Sequence, residues 1–177
     1  MKLTQEQKGK IGETAVMLEL LKKGFNVINI NNSYPNYKNA DLICMNANNG
    51  KSVMIQVKTG TTHNILTGFT SELDGTIQKL EESIIGPWVF VYMPDDKMSN
   101  MEFYILTREE VIELISSSNK WCATEYYRKL KKKYPVGVYV DWLEGGSSKA
   151  TKLHPEYKST LHQTSKDNWW KITELLK

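Results

Sequence analysis

The chain is poor in the features that would place it outside the reducing interior of a cell. Its 177 residues include only two cysteines, Cys44 and Cys122, too few for a disulfide framework. Cys44 lies in an apolar run that reads as a buried strand, so reduced thiols and a cytoplasmic location are expected. No apolar stretch approaches the roughly 20 residues of a membrane span, so no membrane partner is expected. The first residues, Met1-Lys2-Leu3-Thr4-Gln5, carry no signal-peptide apolar segment. Internal repeats and low-complexity tracts are lacking. Charge of one sign is scarce too: 23 Lys and Arg against 20 Asp and Glu give +3, so composition alone does not select a nucleic-acid binder. The three histidines, His63, His154 and His162, show no metal-ligand spacing. At this length a single domain over 1–177, with room for a real core, is the simplest organisation.

What is present centres on residues 40 to 60. Two apolar runs flank Asn49-Gly50, the strongest short hairpin signal, because a type I′ turn needs positive φ at both central positions. With those two residues as the loop, Ile43 faces Gln56 and Asp41 faces Lys58. Opposed residues share a face and side chains alternate, so Asp41, Gln56 and Lys58 gather on one side. An amphipathic hairpin with an ordinary Asp–Lys cross-strand pair would read the same way. The surrounding Leu42, Ile43, Cys44, Val53, Met54, Ile55 and Val57 argue for burial on both faces instead, and buried charges want partners or a metal.

Around this hairpin the elements follow from local signals. Thr4 with Gln7 forms a capping box opening a helix over 4–23, and Gly24 stops it. Ile11, Ala15, Leu18 and Leu21 recur at helical spacing as its expected core stripe, with Glu13 beside it. Gly9 and Gly12 are costly in a helix and suggest a close approach to its backbone. Residues 25–30 read as a strand, 31–39 as a polar loop and 59–70 as a Gly/Thr-rich loop. Ser71 looks like the cap of a second helix carrying Leu73, Ile77, Leu80 and Ile84 to Gly86. Pro87 to Met93 is a continuous apolar strand, as in the middle of a sheet, and Met101 to Leu106 is another strand. Thr107 with Glu110 caps a third helix through Val111, Leu114 and Ile115. Further on, 124–134 reads as a helix with Tyr127, Leu130 and Tyr134 inward, 139–143 as a strand or extended segment, and 167–176 as a closing helix with Trp169, Ile172 and Leu176. The adjacent Trp169 and Trp170 are expected in the core or an interface.

Glu13, then Asp41, then Gln56-Val57-Lys58, in an α-β-β-β-α-β order, resemble the PD-(D/E)XK nuclease superfamily. The stretches Gly9-Lys10-Ile11-Gly12-Glu13, Gly24-Phe25 and Ala40-Asp41-Leu42-Ile43 look like archaeal Holliday-junction resolvases and Mrr-like restriction endonucleases. The resemblance covers residues 4 to 93. It implies an α/β (α+β) fold of restriction-endonuclease type, with a mixed central sheet flanked by helices (core 4–106) and a C-terminal α/β elaboration over 107–177. It also implies a metal-dependent endodeoxyribonuclease in defence or DNA processing, with Glu13, Asp41 and Gln56 binding Mg²⁺, or Mn²⁺ in its place, and Lys58 assisting the attacking water. Ala40 stands where the family name has proline. Gln56 replaces the usual acid, as in Mrr-like members, and lowers the charge of the metal site. These types suit the chemistry, since Mg²⁺ takes hard oxygen ligands, one or two carboxylates among them.

Tyr126 to Tyr134 is the most basic stretch. Arg128, Lys129, Lys131, Lys132 and Lys133, with Lys10 near Glu13, are the candidate phosphate contacts, and a solvated helix face is the competing reading. A non-catalytic nucleic-acid-binding or protein-interaction module on a degenerate nuclease fold is the rival function. RNA in place of DNA, and a homodimer in place of a monomer, stay open.

Overall fold

The computed structural model describes residues 3–34, 37–94, 98–126, 133–147 and 157–177. Helix α1 spans Gln5–Lys22 and opens as its residues dictate: Thr4 and Gln7 cap it reciprocally. The chain then leaves it through Gly24 at φ +88°. The buried row of α1 is Lys8, Gly12, Val16 and Leu20. This corrects the expected stripe, since Leu18 and Leu21 are 52% and 49% exposed. Both rows have helical spacing. The one containing Gly12 is buried because it alone lets the helix backbone settle onto the sheet.

That sheet has five strands, β1 (Asn26–Asn29), β2 (Leu42–Met45), β3 (Ser52–Gly60), β5 (Trp88–Tyr92) and β6 (Glu102–Leu106), in the order β1-β2-β3-β5-β6. It is mixed: β3 and β5 run parallel and the other pairs antiparallel. The β2–β3 register pairs Leu42 with Ile55 and Met45 with Ser52. The hairpin therefore turns through Ala47–Gly50, with the Asn46 N–H donating to the Lys51 carbonyl and the Gly50 N–H to the Asn46 carbonyl. Pairing is shifted by two residues from the expected two-residue loop. Asn46 and Asn49 each accept a backbone N–H two residues on, and local side-chain bonds of this kind favour the wider turn.

Two further expectations are overturned. Residues 59–70 are not a loop. β3 runs on to Gly60, and β4 (Asn64–Ser71) forms a separate antiparallel ribbon with β7 (Tyr134–Tyr139). Ile65 and Thr67 are buried while Leu66 and Gly68 are exposed, a strand alternation hidden by the Gly/Thr content. Nor is 71–86 a long helix. Only Leu80–Ser83 is helical, as α2. The Ser71 hydroxyl donates to the Glu72 carbonyl, and the Asn119 amide donates to Ser71 Oγ and to the Gly75 carbonyl, at 2.9 and 2.5 Å. These bonds hold the segment in turns, with Gly75 at φ +88°.

Two apolar layers lie on the two faces of the sheet. Val16 and Leu20 of α1 pack with Leu42, Ile55, Val57, Val89, Val91 and Ile105, and are joined by Trp169, Ile172 and Leu176 around α5 (Trp170–Thr173). On the other face, Trp88, Phe90, Tyr104 and Leu106 pack under the β4–β7 ribbon, α2, α3 (Arg108–Trp121) and α4 (Val140–Leu143). The expected capping box at Thr107 and Glu110 is present. After α3 the chain makes a π-helical turn over Cys122–Tyr126, and Tyr134 belongs to strand β7 and not to the end of the expected helix over 124–134. Residues 127–132 lie outside the described residues. Both cysteines are buried, with no disulfide among the described residues. Among the described residues no helix is long and apolar enough to cross a membrane.

Candidate functional site

The site forms where the sheet splits. Strand β2 begins at Leu42, opposite Ile55, while β3 continues beyond that point alongside β5. The Val57 N–H is left without a backbone partner on the β2 side. The Asp41 carboxylate takes that place: its Oδ2 accepts from the Val57 N–H at 2.8 Å and from Gln56 Nε2. Its Oδ1 accepts from Asn31 Nδ2 at 3.1 Å. Asp41 is buried, at 8% exposure, so these donors are what make its charge tolerable there.

Gln56 and Lys58 pair laterally with Trp88 and Phe90 and share their face of the sheet, opposite to the face that α1 covers. Glu13 nonetheless reaches the same cleft through the opening beside Asp41. Glu13, Asp41, Gln56 and Lys58, with Lys10, Tyr37 and Lys38 at the rim, line a cavity of about 590 Å³. The approach of α1 depends on Gly12, where a Cβ would lie 1.9 Å from Thr59 Oγ1 of β3. Gly9 has nothing within 4 Å, so the close approach expected at both glycines exists at one.

Two asparagines tie the carboxylates together, and sequence reasoning missed them. Asn29 Nδ2 donates to Glu13 Oε2 at 2.7 Å, while its Oδ1 accepts the Asn31 N–H at 2.9 Å. Asn31 then holds Asp41. The spacing of Asn29 and Asn31, two apart and just ahead of Asp41 in the fold, was the available signal. It had been spent on a strand end and a loop.

The electrostatics are those of an acid pair beside one partly buried cation. Burial, chiefly, raises the Glu13 carboxyl above its ordinary range, with the Asp41 charge adding to the effect and the Asn29 bond opposing it. Burial lowers Lys58 below the usual ammonium range, against the pull of Asp41 and Glu13. Among the described residues Lys58 makes no ion pair, and its Nζ sits 5.3 Å from the centre of the Trp88 ring. Among the described residues no group of three or more His, Cys, Asp and Glu gathers to hold a metal. A cation here would therefore rest on two carboxylates, Glu13 and Asp41, with neutral oxygens from amides, water or substrate. That hard-oxygen set suits Mg²⁺ or Mn²⁺. For Gln56 to supply its carbonyl oxygen, its amide, which now donates to Asp41, must turn.

Of the candidate phosphate contacts, Lys10 and Lys133 are among the described residues. Lys10 lines the cleft and pairs with Glu6 at 2.7 Å. Lys133 is far along the chain and pairs with Glu72 at 2.6 Å. Arg128, Lys129, Lys131 and Lys132 lie outside the described residues. Lys38, which had no assigned role, is exposed at the rim of the acidic cleft.

Sheet, helices and cleft together define a mixed α+β protein with an acid pair and a partly buried lysine at the split of a five-stranded sheet. No family model and no curated protein matches the chain. Among solved structures it is similar to a bacterial homing endonuclease, I-Ssp6803I, at 12% identity over 99% of this chain and 95% of that one, with a TM-score of 0.48. At that identity and score the likeness fixes neither family nor activity.

Proposed function

We propose that the chain is a metal-dependent endonuclease of the PD-(D/E)XK type, hydrolysing phosphodiester bonds in DNA. The observation that supports this reading most is the meeting of Glu13, Asp41, Gln56 and Lys58 in one cleft, with the lysine partly buried and in no ion pair among the described residues. A lysine kept only to neutralise Asp41 would be paired with it. An ammonium held apart from its nearby acids is placed to stabilise charge that develops on a phosphate or an attacking hydroxide. Glu13 and Asp41 would hold the divalent ion, with Gln56 as the neutral ligand or water-orienting amide. When bound, such an ion lowers the pKa of a water and neutralises the scissile phosphate. Lys10 and Lys38 at the rim would attract the strand. A role in defence or DNA processing follows from the resemblance alone.

The rival reading, a binding module on an inactive nuclease fold, has one observation in its favour. Asp41 and Glu13 already accept from the amides of Asn29, Asn31 and Gln56, neutral donors that offset part of their charge. The decisive experiment incubates the purified protein with supercoiled, linear, branched and single-stranded DNA and with RNA, each with Mg²⁺, Mn²⁺ or EDTA. Metal-dependent cleavage that Asp41→Asn abolishes is the expected result. The asparagine is chosen because alanine would leave the buried Val57 N–H unpaired, at a cost of about 1–3 kcal/mol. Cleavage of nothing under any metal would select the binding module.

A further inference from the structure

Beyond Lys58 the cleft continues into a second cavity of about 320 Å³, which shares Lys38, Gln56 and Lys58 with the first. Its own walls among the described residues are Asn39, Thr67, Gly68, Phe69, Ser83 and Trp88, none of them a carboxylate. The two cavities therefore differ in chemistry. The first holds the acid pair, and the second is aromatic, amide-bearing and cationic at the shared edge.

The aromatic wall is a pair of stacked rings. Phe69 of β4 and Trp88 of β5 lie nearly parallel, with ring centres 6.0 Å apart at 11°. Trp88 is 3% exposed, and its buried indole N–H has no acceptor among the described residues. Phe69 is only half-buried, so part of its ring remains open. Gly68, at φ +90°, lines the second cavity beside Lys58, where a Cβ would make ordinary contact with the ammonium at 3.6 Å. A flat ring suits the Phe69 face, and its polar edge finds the Asn39 amide and the Ser83 hydroxyl. An anionic group joined to that ring would fall at Lys38 and Lys58, on the border of the acidic cleft.

We propose that this second cavity is a nucleoside subsite, receiving the base next to the phosphate held at Glu13, Asp41 and Lys58 and stacking it on Phe69. The inference rests on the nuclease reading above. It assigns the β4–β7 ribbon, which lies outside the expected core order, to seating the substrate strand.

The test uses the full chain and a set of end-labelled single-stranded oligodeoxynucleotides. One 2-aminopurine steps through the strand from member to member. Binding is measured with Ca²⁺ or EDTA in place of Mg²⁺, so that strands stay whole. Anisotropy of the end label reports binding, and 2-aminopurine emission reports stacking. The expected result is emission quenched at one position in the wild type and unquenched with Phe69→Leu. That variant should bind about tenfold more weakly, as loss of one base–aromatic stack implies. Phe69→Tyr, which keeps the ring, should restore both readouts. Ser83→Trp, which fills the cavity from α2, should abolish the quenching without touching Phe69, and it decides the matter if Phe69→Leu does not fold. Binding with no position-dependent quenching, or quenching unchanged in Phe69→Leu and Ser83→Trp, overturns the subsite and leaves the nuclease reading intact. No anisotropy change with any strand also overturns the subsite, and the nuclease reading is then decided by the cleavage assay on duplex and branched DNA.

Discussion

Glu13 and Lys58 are shifted in opposite directions by the same cause, burial, and each shift has a consequence for stability. The folded Glu13 carboxyl binds its proton more tightly than in the unfolded chain. The resulting contribution is complete below its ordinary value of 4.5 and is lost as pH rises through the raised folded value. The folded Lys58 ammonium binds its proton less tightly. Its charge therefore opposes folding at neutral pH, and that opposition fades as pH climbs from the lowered folded value to 10.5. Glu13→Gln keeps an acceptor for Asn29 and should melt higher than the wild type at pH 7, with the gap closing toward pH 4. Lys58→Met should also melt higher at pH 7 and lose all cleavage. A gain of about 1 kcal/mol in either would raise the melting temperature by roughly 2–4 °C for a chain of this size. Thermal melts across pH check both. A Lys58→Met protein less stable than the wild type at pH 7 would mean that the ammonium is held by a partner and is not free.

At the scale of elements, the contact between α1 and β3 sets the distance between Glu13 and the sheet. Gly12 carries that contact, and Thr59 Oγ1 sits over it, buried and without a hydrogen-bond partner. Gly12→Ala is expected to cost about 1–3 kcal/mol, as overpacking does. By lifting α1 it should also weaken divalent-metal binding, although residue 12 touches no metal. Thr59→Val keeps the shape and removes an unpaired hydroxyl, so it should be neutral or stabilising by about 1 kcal/mol. Denaturant melts of the two variants, with a Mn²⁺ titration of Gly12→Ala, check the pair. A Gly12→Ala protein with wild-type stability would show that the helix can shift without cost. The same scale explains the misread α1 stripe. Ile11, Ala15, Leu18 and Leu21 satisfy the helical period as well as Gly12, Val16 and Leu20 do. Periodicity cannot see that only a glycine row fits under Thr59.

For the whole molecule, the acid pair predicts a linkage between metal and folding. An ion that binds only the native state stabilises it by RT ln(1 + [L]/Kd), about 2.7 kcal/mol at 100 times Kd. Mn²⁺ or Mg²⁺ at millimolar concentration should thus raise the melting temperature, and EDTA should reverse it. Asp41→Asn should show no rise. Gln56→Glu adds a third acid beside Asp41 and Glu13, and like charges gathered at one point are relieved by a cation. It should therefore melt lower than the wild type without metal and show the larger rise with it. Calorimetric titration reads the same affinities directly. A metal-independent melt in the wild type and in Gln56→Glu would move the assignment to the binding module.

Residue order alone decided whatever depends on a few neighbouring groups. The reciprocal caps at Thr4 with Gln7 and Thr107 with Glu110 need partners three residues away and form as read. The apolar run of β5 is buried as its composition demands. Asp41, Gln56 and Lys58 share a face because side chains alternate with period two, and the observed two-residue shift of the hairpin leaves that parity unchanged. Tertiary structure decided whatever depends on residues far apart. β4 became a strand because β7, more than 60 residues later, pairs with it. The segment after Ser71 stayed in turns because Asn119 binds its backbone. Asn29 and Asn31 became the link between Glu13 and Asp41 only once α1 had docked beside the split sheet. Hydrogen bonds and packing between such distant residues leave no period and no local signature in the chain, so only the folded molecule could reveal them.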